Sequence, residues 1–307
     1  MLDNYGRPVD NFRISITNRC NLNCVYCHRE GIHRKDFEEM KSDEIIRIIT
    51  LSIEFGIKYI KITGGEPLIR EDIFEIIRKI RNIKEIKNIS LVTNGTLLEE
   101  KAFKLKDAGL DRVNISLDTL DPCRFSNITQ MDEKIHQKIL RGVVKAINVG
   151  LNPLKINMVM LKDINEDEFE SMFDFTKEHG CTLQCIELIP LEKGEQSFTE
   201  KHMNLEELEK KIAKKASKII VRRMQKRRKY YLRNGGVIEF VTPFHNSEFC
   251  ANCTKMRLTY DGKLKPCLLR NDNLIDIITP LREGKSNQYL KKLFKKAIDF
   301  REPYYKK

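Results

Sequence analysis

Six of the nine cysteines fall into two groups of three, and the spacing within each group suits metal binding. The first group is Cys20, Cys24 and Cys27, and the second is Cys250, Cys253 and Cys267. Thiolates are strong ligands for zinc and iron, and in a reducing compartment such cysteines are more often metal ligands than disulfides. The two groups therefore predict two metal centres.

Each group supplies three thiolates, one fewer than a closed zinc site or a fully ligated four-iron cluster requires. A histidine could complete a zinc site, either His28 or His33 in the first group and His245 in the second. Alternatively, each group holds a [4Fe-4S] cluster and leaves one iron open to a small molecule. The spacing alone leaves both alternatives open.

The remaining cysteines are Cys123, Cys181 and Cys185. Cys181 and Cys185 lie on a predicted strand, where four residues span roughly 13 Å, too far for both thiolates to bind one metal ion. We interpret all three as structural thiols, because free cysteine is commonly buried.

The segment KITGGEPLIR at 61–70 follows the second predicted strand and adds a candidate binding element. Gly64 and Gly65 carry no side chains, so a ligand can approach the backbone. Glu66 offers an acceptor for an ammonium group, and Pro67 favours an extended backbone at Glu66. A turn alone would explain the segment, but its position one strand after the first cysteine group favours ligand binding.

Strands alternate with helices along the first two thirds of the chain. The predicted strands cover residues 12–17, 59–63, 89–93, 112–116, 155–160 and 183–188. Four of the intervening helices are predicted to end just before Gly56, Gly109, Gly150 and Gly180. Glycine adopts the left-handed conformation that ends a helix at little steric cost. This alternation implies parallel strands joined by right-handed crossovers.

About six such units predict an α/β fold, a partial (β/α)6 barrel with functional loops at the carboxyl ends of its strands. The alternation stops after residue 217, and a short strand, the second cysteine group and a helix near 286–300 follow. We therefore expect a barrel at 1–217 and a smaller cluster- and substrate-binding region at 218–307.

The composition, 41% hydrophobic and 33% charged over 307 residues, is that of a globular protein. No apolar run approaches the ~20 residues of a membrane span, and no secretory signal is visible, so we expect a cytoplasmic protein. The net charge of +12 suggests an anionic partner. The basic stretch RRMQKRRKYY at 222–231 is typical of a nucleic-acid contact or a solvated surface, and its place near the second cysteine group also allows it to help hold a phosphorylated ligand.

The pattern C-x3-C-x-aromatic-C after the first strand, with GGEP after the second, resembles the radical S-adenosylmethionine (SAM) enzymes. The resemblance implies a [4Fe-4S] cluster on the first cysteine group whose open iron binds SAM and yields a 5′-deoxyadenosyl radical. It assigns SAM contacts to Tyr26, Gly64, Gly65, Glu66, Thr93, Asn94 and Ser116.

The C-terminal pattern, C-x2-C followed by a basic stretch, DGKL and a third cysteine, is similar to the GTP 3′,8-cyclases of molybdenum cofactor biosynthesis (the MoaA family), in particular their archaeal branch. With the opening segment YGRPVDNFRISIT, the resemblance covers most of the chain. It implies conversion of GTP to (8S)-3′,8-cyclo-7,8-dihydroguanosine 5′-triphosphate, the first step of molybdopterin biosynthesis. A second [4Fe-4S] cluster on Cys250, Cys253 and Cys267 would orient the purine.

The resemblance assigns triphosphate contacts to Arg13, Lys61, Lys155, Lys255 and Arg257. Lys61, Lys255 and Gln184 stand where an arginine is usual in the bacterial pattern, which leaves fewer guanidinium forks for phosphate oxygens. The chain also ends in REPYYKK, whereas familiar members end in a Gly-Gly tail.

The resemblance further implies a ferredoxin- or flavodoxin-type electron donor and cyclic pyranopterin monophosphate synthase as a downstream partner. The resemblance is compatible with a homodimer, and it implies that the protein binds neither nucleic acid nor a membrane. Two other functions stay open on the sequence. One is a two-cluster radical SAM enzyme acting on a peptide or RNA, disfavoured because an electron-relay cluster would be fully ligated. The other is a zinc-stabilised nucleic-acid-binding protein.

Overall fold

The computed structural model describes residues 1–32, 38–191 and 195–306, with the side chains of 195–197 excepted. The described residues form one twelve-stranded sheet. Its strands are β1 (Asn11–Ser15), β2 (Tyr59–Thr63), β3 (Asn88–Thr93), β4 (Arg112–Ser116), β5 (Lys155–Met160), β6 (Thr182–Glu187), β7 (Ala216–Val221), β8 (Arg228–Leu232), β9 (Val237–Val241), β10 (Lys255–Leu258), β11 (Lys263–Lys265) and β12 (Ile275–Asp276).

The helices connect these strands and cover the sheet. They are α1 (Ser42–Ser52), α2 (Ile73–Arg81), α3 (Leu98–Asp107), α4 (Pro122–Thr129), α5 (Lys134–Asn148), α6 (Phe169–Glu178), α7 (Glu195–Lys201), α8 (Glu206–Lys215), α9 (Ser247–Ala251), α10 (Ile278–Arg282) and α11 (Asn287–Asp299). Within the described ranges, none is long and apolar enough to cross a membrane.

The sheet confirms the predicted α/β fold and extends it. Strands β1 to β6 are parallel neighbours in chain order, as the alternation of strands and helices predicted. The sheet does not stop at six strands, because β10 pairs in parallel with β1 and β9 pairs in parallel with β6. The C-terminal part of the chain therefore supplies both outer neighbours of the six-stranded array.

The strands have one apolar face and one polar face. Phe12 and Ile14 of β1 are fully buried, whereas Arg13 between them projects to the opposite face. The apolar face packs against helices such as α2, whose Ile73, Ile76, Ile77 and Ile80 form a buried stripe at helical spacing. The four glycines predicted to end helices have positive φ, from 63° at Gly180 to 98° at Gly109.

Helix α11 closes the apolar side of the sheet through Phe294. This fully buried ring lies 5.6 Å from the ring of Phe12 and stacks on Phe55 at 4.9 Å between centroids. Aromatic pairs of this geometry add to the free energy of burial. The last helix is therefore bound to the first strand of the sheet.

We predict that Phe294→Ala lowers the free energy of unfolding by about 3–5 kcal/mol, because it leaves a cavity between three packed rings. Tyr289→Ala on the same helix is the control, since Tyr289 is 45% exposed and its loss should change stability by at most about 0.5 kcal/mol. Urea denaturation of both variants measures the difference. Equal losses would show that α11 does not pack through Phe294.

Candidate active site

The first cysteine loop follows β1 at the carboxyl edge of the sheet. Cys20 and Cys27 are exposed and Cys24 is half-buried. Burial raises the pKa of Cys24, and the nearby Asp118, Cys27 and Cys20 raise it further. The three thiols therefore lie close enough to interact electrostatically, as a shared metal centre requires.

The thiols fit an iron–sulfur cluster by their donor chemistry. The backbone N–H of Leu22 donates to the Cys20 sulfur at 3.4 Å, and the Asn94 amide approaches the same sulfur at 3.9 Å. These N–H···S contacts lower the pKa of Cys20, but burial outweighs them and leaves that pKa raised. In the described part of the chain, no three His, Cys, Asp or Glu side chains already stand in metal-binding geometry.

Gly64 and Gly65 lie directly against this loop. The Gly65 N–H donates to the Thr17 carbonyl at 2.8 Å, and the Glu66 N–H donates to the Arg19 carbonyl at 2.8 Å. A Cβ at Gly65 would lie 2.2 Å from the Arg19 oxygen, closer than real contacts allow. The missing side chains of Gly64 and Gly65 therefore allow the cysteine loop to pack against the GGEP segment. Their contact with SAM stays a prediction.

The Glu66 carboxylate links the loops that follow β2 and β3. It is fully buried and accepts hydrogen bonds from the Thr93 hydroxyl at 2.7 Å and the Asn94 N–H at 2.6 Å, with a third from the Leu68 N–H. Burial raises the pKa of Glu66 to about 7, and these donors oppose the rise. Both oxygens of this predicted SAM contact are thus engaged within the protein.

Asn94 connects the third strand to the first cysteine loop. Its side-chain amide donates to the side-chain oxygen of Asn21 at 2.8 Å, and its own side-chain oxygen accepts from the N–H and hydroxyl of Thr96. The predicted SAM contacts Thr93 and Asn94 therefore have structural partners, which is the turn role that Asn-Gly pairs often have.

Tyr26 is fixed on the other side of the cysteine loop. Its hydroxyl donates to Asp118 at 2.5 Å, and the Val159 N–H donates to the other oxygen of that carboxylate at 2.8 Å. Asp118 comes two residues after β4, whose last residue is the half-buried Ser116. Asp118 is not among the predicted site residues, because its partner Tyr26 is distant in sequence.

The five predicted triphosphate contacts lie on the polar face of the sheet. Arg13 of β1 stands opposite Lys61 of β2 on one side and Arg257 of β10 on the other. Burial lowers the pKa of Lys61, and Arg112, Arg13, Lys155 and Lys255 lower it further. These residues therefore share one space, which we call the cationic chamber, defined by Arg13, Lys61, Lys155, Lys255 and Arg257.

Glu30, which sequence reasoning missed, lies buried in this chamber. Its carboxylate pairs with Arg13 at 2.7 Å and with Arg257 at 2.8 Å. Burial alone would raise the pKa of Glu30, but Arg13 and Arg257 outweigh it and hold that pKa at about 2. Lys265 also donates to the Glu30 carbonyl at 2.9 Å. Glu30 therefore binds the cationic chamber to the segment after Cys27.

The second cysteine group lies at α9 and after β11. Burial raises the pKa of Cys267, and the nearby Cys253 contributes, so these two thiols are neighbours. Burial would also raise the pKa of Cys253, but Lys255 and Arg301 outweigh it and lower that pKa. A thiol that ionises readily suits a metal ligand. This group therefore also fits an iron–sulfur cluster.

Two buried arginines hold the Cys250–Cys253 turn in place. Arg7 donates to the Cys250 carbonyl at 2.9 Å, and Arg301 donates to the Cys253 carbonyl at 2.6 Å. Both guanidinium groups pair with the buried Asp3. The two ends of the described chain thus meet at the second cysteine group.

The histidines considered as zinc ligands have other contacts. The Nδ1 atom of His28 accepts from the Glu30 N–H at 3.0 Å, and the ring of His245 packs on Tyr305 at 4.9 Å. His33 lies outside the described residues. Cys181, just before β6, and Cys185 within it are buried, as expected of structural thiols. Cys123 is exposed on α4, so its expected burial was wrong.

Two family models match this chain, and each match contains one of the two cysteine groups. Residues 14–176 match the Radical SAM superfamily, and residues 181–307 match Molybdenum Cofactor Synthesis C. The first match contains the first cysteine group and the GGEP segment. The second contains the other cysteine group.

Close relatives share one name, "Probable GTP 3′,8-cyclase". The relative from Methanococcus maripaludis strain C6 is 47% identical over 100% of this chain and 99% of its own. The relative from Methanocaldococcus jannaschii is 48% identical, again over 100% of this chain and 99% of its own. The relative from Methanothermobacter thermautotrophicus is 47% identical over 99% of this chain and 98% of its own. The chain therefore belongs to the radical SAM superfamily and, within it, to the family of these GTP 3′,8-cyclases. A radical SAM protein uses SAM and an iron–sulfur cluster.

Solved structures confirm the fold. Streptococcus suis SuiB bound to precursor peptide SuiA matches with a TM-score of 0.66 at 19% identity, over 97% of this chain and 66% of that one. SuiB bound to S-adenosylmethionine matches with a TM-score of 0.63 at 19% identity, over 85% of this chain and 60% of that one. Native anSMEcpe with bound AdoMet matches with a TM-score of 0.59 at 21% identity, over 87% of this chain and 76% of that one. At these identities the likeness concerns the fold alone.

We predict that Gly65→Ala displaces the first cysteine loop and reduces the iron bound after reconstitution to about half, because the added methyl group collides with the Arg19 carbonyl. Gly180→Ala is the control, since its Cβ meets no atom within 4 Å although its φ of 63° costs stability. Iron and labile sulfide analysis measures the difference. Full iron content in Gly65→Ala would contradict the requirement for close approach.

Proposed function

We propose that this chain uses two [4Fe-4S] clusters and SAM to convert GTP to (8S)-3′,8-cyclo-7,8-dihydroguanosine 5′-triphosphate, the first step of molybdenum cofactor biosynthesis. The observation that supports it most directly is the ion pair of Glu30 with Arg257 at 2.8 Å. Glu30 comes three residues after Cys27, and Arg257 comes four residues after Cys253. A substrate bound at this pair would lie beside both cysteine groups.

The first cluster would be held by Cys20, Cys24 and Cys27. When bound, this cluster and SAM supply the 5′-deoxyadenosyl radical that abstracts hydrogen from the substrate ribose. We assign the SAM contacts to Tyr26, Gly64, Gly65, Glu66, Thr93, Asn94 and Ser116. Because Glu66, Thr93 and Asn94 already bond to one another, we expect them to contribute mainly by fixing the backbone that contacts SAM.

The second cluster would be held by Cys250, Cys253 and Cys267 and would orient the guanine. Arg13, Lys61, Lys155, Lys255 and Arg257 would bind the triphosphate. Lys61 and Lys255 are half-buried, and neither ammonium group has an acceptor among the described residues. Electrostatic attraction between such cations and a phosphate chain is strong in a partly desolvated space.

Three further proposals concern the surroundings of the reaction. SAM cleavage needs one electron at low potential, which a ferredoxin- or flavodoxin-type donor would supply, and cyclic pyranopterin monophosphate synthase would consume the product. We place the reaction in the cytoplasm, where thiols stay reduced. A homodimer is supported by the edge strand β7, where Ile219, Ile220 and Val221 are exposed.

An anaerobic assay tests the proposed reaction. Protein reconstituted with iron and sulfide receives dithionite, SAM and GTP, with ATP and no nucleotide as controls. We expect 5′-deoxyadenosine to form in step with a GTP-derived product of unchanged mass, detected by mass spectrometry. Formation of 5′-deoxyadenosine without any change in GTP would support the radical chemistry but contradict GTP as the substrate.

The two cysteine groups should fail in different ways. We predict that Cys24→Ala abolishes SAM cleavage, because two thiolates do not hold a cluster with one open iron. Cys253→Ala should keep uncoupled SAM cleavage and lose the cyclised product. Cys123→Ala, which removes an exposed thiol outside both groups, is the control and should retain both activities.

Iron analysis provides the second readout for these variants. Wild-type protein should bind about eight iron atoms per chain, and each ligand variant about four, since a [4Fe-4S] cluster contains four. If Cys24→Ala and Cys253→Ala lost SAM cleavage equally, the proposed division between the two groups would be wrong.

A further inference from the structure

The basic stretch at 222–229 has no assigned role in the proposed reaction, and the structure divides it into two sets of side chains. Arg227 is 8% exposed and Arg222 is 30% exposed, whereas Arg228 and Arg223 are 49% and 69% exposed. Only part of the stretch therefore forms a solvated surface. Arg222 and Arg227 turn towards the polar face of the sheet.

A tight turn directs Arg227 inwards. Gln225 and Lys226 have φ of 62° and 49°, and the Arg222 N–H donates to the Arg227 carbonyl at 2.9 Å, which closes the turn. The Gln225 N–H donates to the Asn252 carbonyl at 2.8 Å. The turn is thereby bound to the residue that precedes Cys253.

Inside the sheet, Arg227 belongs to a group of charges around Glu239, a fully buried residue of β9. The Glu239 carboxylate pairs with Arg222 at 3.0 Å, with Arg227 at 3.2 Å, and closely with Lys155. One carboxylate thus faces three cations. Two positive charges are left without a compensating anion in this group.

Arg227 also has unused hydrogen-bonding capacity. Its Nε atom is buried and has no partner among the described residues. Its Nη1 atom pairs with Glu239 at 3.2 Å and makes a further, long contact of 3.5 Å to the Gln184 side chain. Buried polar groups are normally satisfied, and an unpaired one points to a missing partner. A guanidinium with a free edge suits a phosphate oxygen.

The surplus charge continues towards the second cysteine group. The turn that carries Arg227 is bound to Asn252, three residues before Lys255. Lys255 and Arg257 lie two residues apart on one face of β10, and Arg257 pairs with Glu30. Arg227 therefore lies on a segment attached next to the strand that carries these two cations.

We propose that Arg227 is a further substrate-binding residue, which donates to the polyphosphate chain of a nucleoside triphosphate together with Lys155 and Lys255. Glu239 acts as a positioning residue that holds the Arg227 guanidinium and the Lys155 ammonium in the chamber. This inference rests on the proposed function and names a residue that the resemblance did not. A purely structural role for Arg227 would require only one cation opposite Glu239, and Lys155 and Arg222 already supply two.

Calorimetry on the reconstituted protein tests this inference with three probes: inorganic tripolyphosphate, GTP and guanosine. We expect Arg227→Ala to weaken binding of tripolyphosphate and GTP by about 10–100-fold, the effect of one charge-assisted contact, and to leave guanosine unchanged. Arg227→Lys should weaken the binding of tripolyphosphate and GTP by a smaller factor than Arg227→Ala. Arg228→Ala, the adjacent exposed residue of the same stretch, is the matched control and should stay within about twofold.

A double variant separates binding from folding. Arg227→Ala leaves Glu239 with one cation fewer, so Arg227→Ala combined with Glu239→Gln removes one charge of each sign, and thermal melting checks its fold. We expect tripolyphosphate binding to remain weak in the double variant. Recovery of wild-type affinity there, or unchanged affinity in Arg227→Ala, would overturn the inference.

The same titrations distinguish this inference from the proposed function. If wild-type protein binds tripolyphosphate through Arg227 but yields no product from GTP, the polyphosphate site stands and the proposed reaction fails. If GTP is cyclised and Arg227→Ala keeps wild-type KM and tripolyphosphate affinity, the reaction stands and the role of Arg227 is overturned.

Discussion

The candidate site depends on the parallel pairing of β10 with β1, which sets Arg257 directly opposite Arg13. Two guanidinium groups on adjacent strands repel each other unless an anion lies between them. Glu30 supplies that anion, at 2.7 Å from Arg13 and 2.8 Å from Arg257. Because Glu30 follows the first cysteine group and β10 lies between Cys253 and Cys267 of the second, this contact links the surroundings of the two groups.

Two buried carboxylates organise the cations of this chamber in the same way. Glu30 holds Arg13 and Arg257, and Glu239 holds Lys155 with Arg222 and Arg227. Each carboxylate orients several cationic side chains, although its single negative charge neutralises only one of them. Such an arrangement costs folding stability, since buried charge without a full counterion is unfavourable. It offers a polyanionic ligand a set of donors that need little rearrangement on binding.

The loops that would hold SAM depend on backbone contacts more than on side-chain packing. The Gly65 and Glu66 N–H groups donate to carbonyls of the first cysteine loop, and the buried Glu66 carboxylate ties the loop after β2 to the loop after β3. The first cysteine loop is thus attached to the two loops that follow β2 and β3. A loop held in this way is preorganised for a cofactor.

The sequence by itself determined the α/β fold, the first six strands to within about two residues, and the grouping of cysteines. These are local features, set by periodic apolar residues, helix-ending glycines and close spacing along the chain. It also supplied the five basic residues that converge in the chamber. Only the tertiary structure decided that β9 and β10 flank the array of β1 to β6, that Glu30 and Glu239 are the counterions, and that Arg227 turns inwards. The physical reason is that each of these depends on contacts between distant segments; Glu30 and Arg257 are 227 residues apart. The alternation of apolar and polar residues in FRISIT and YIKIT was the one local sign of a polar inner face.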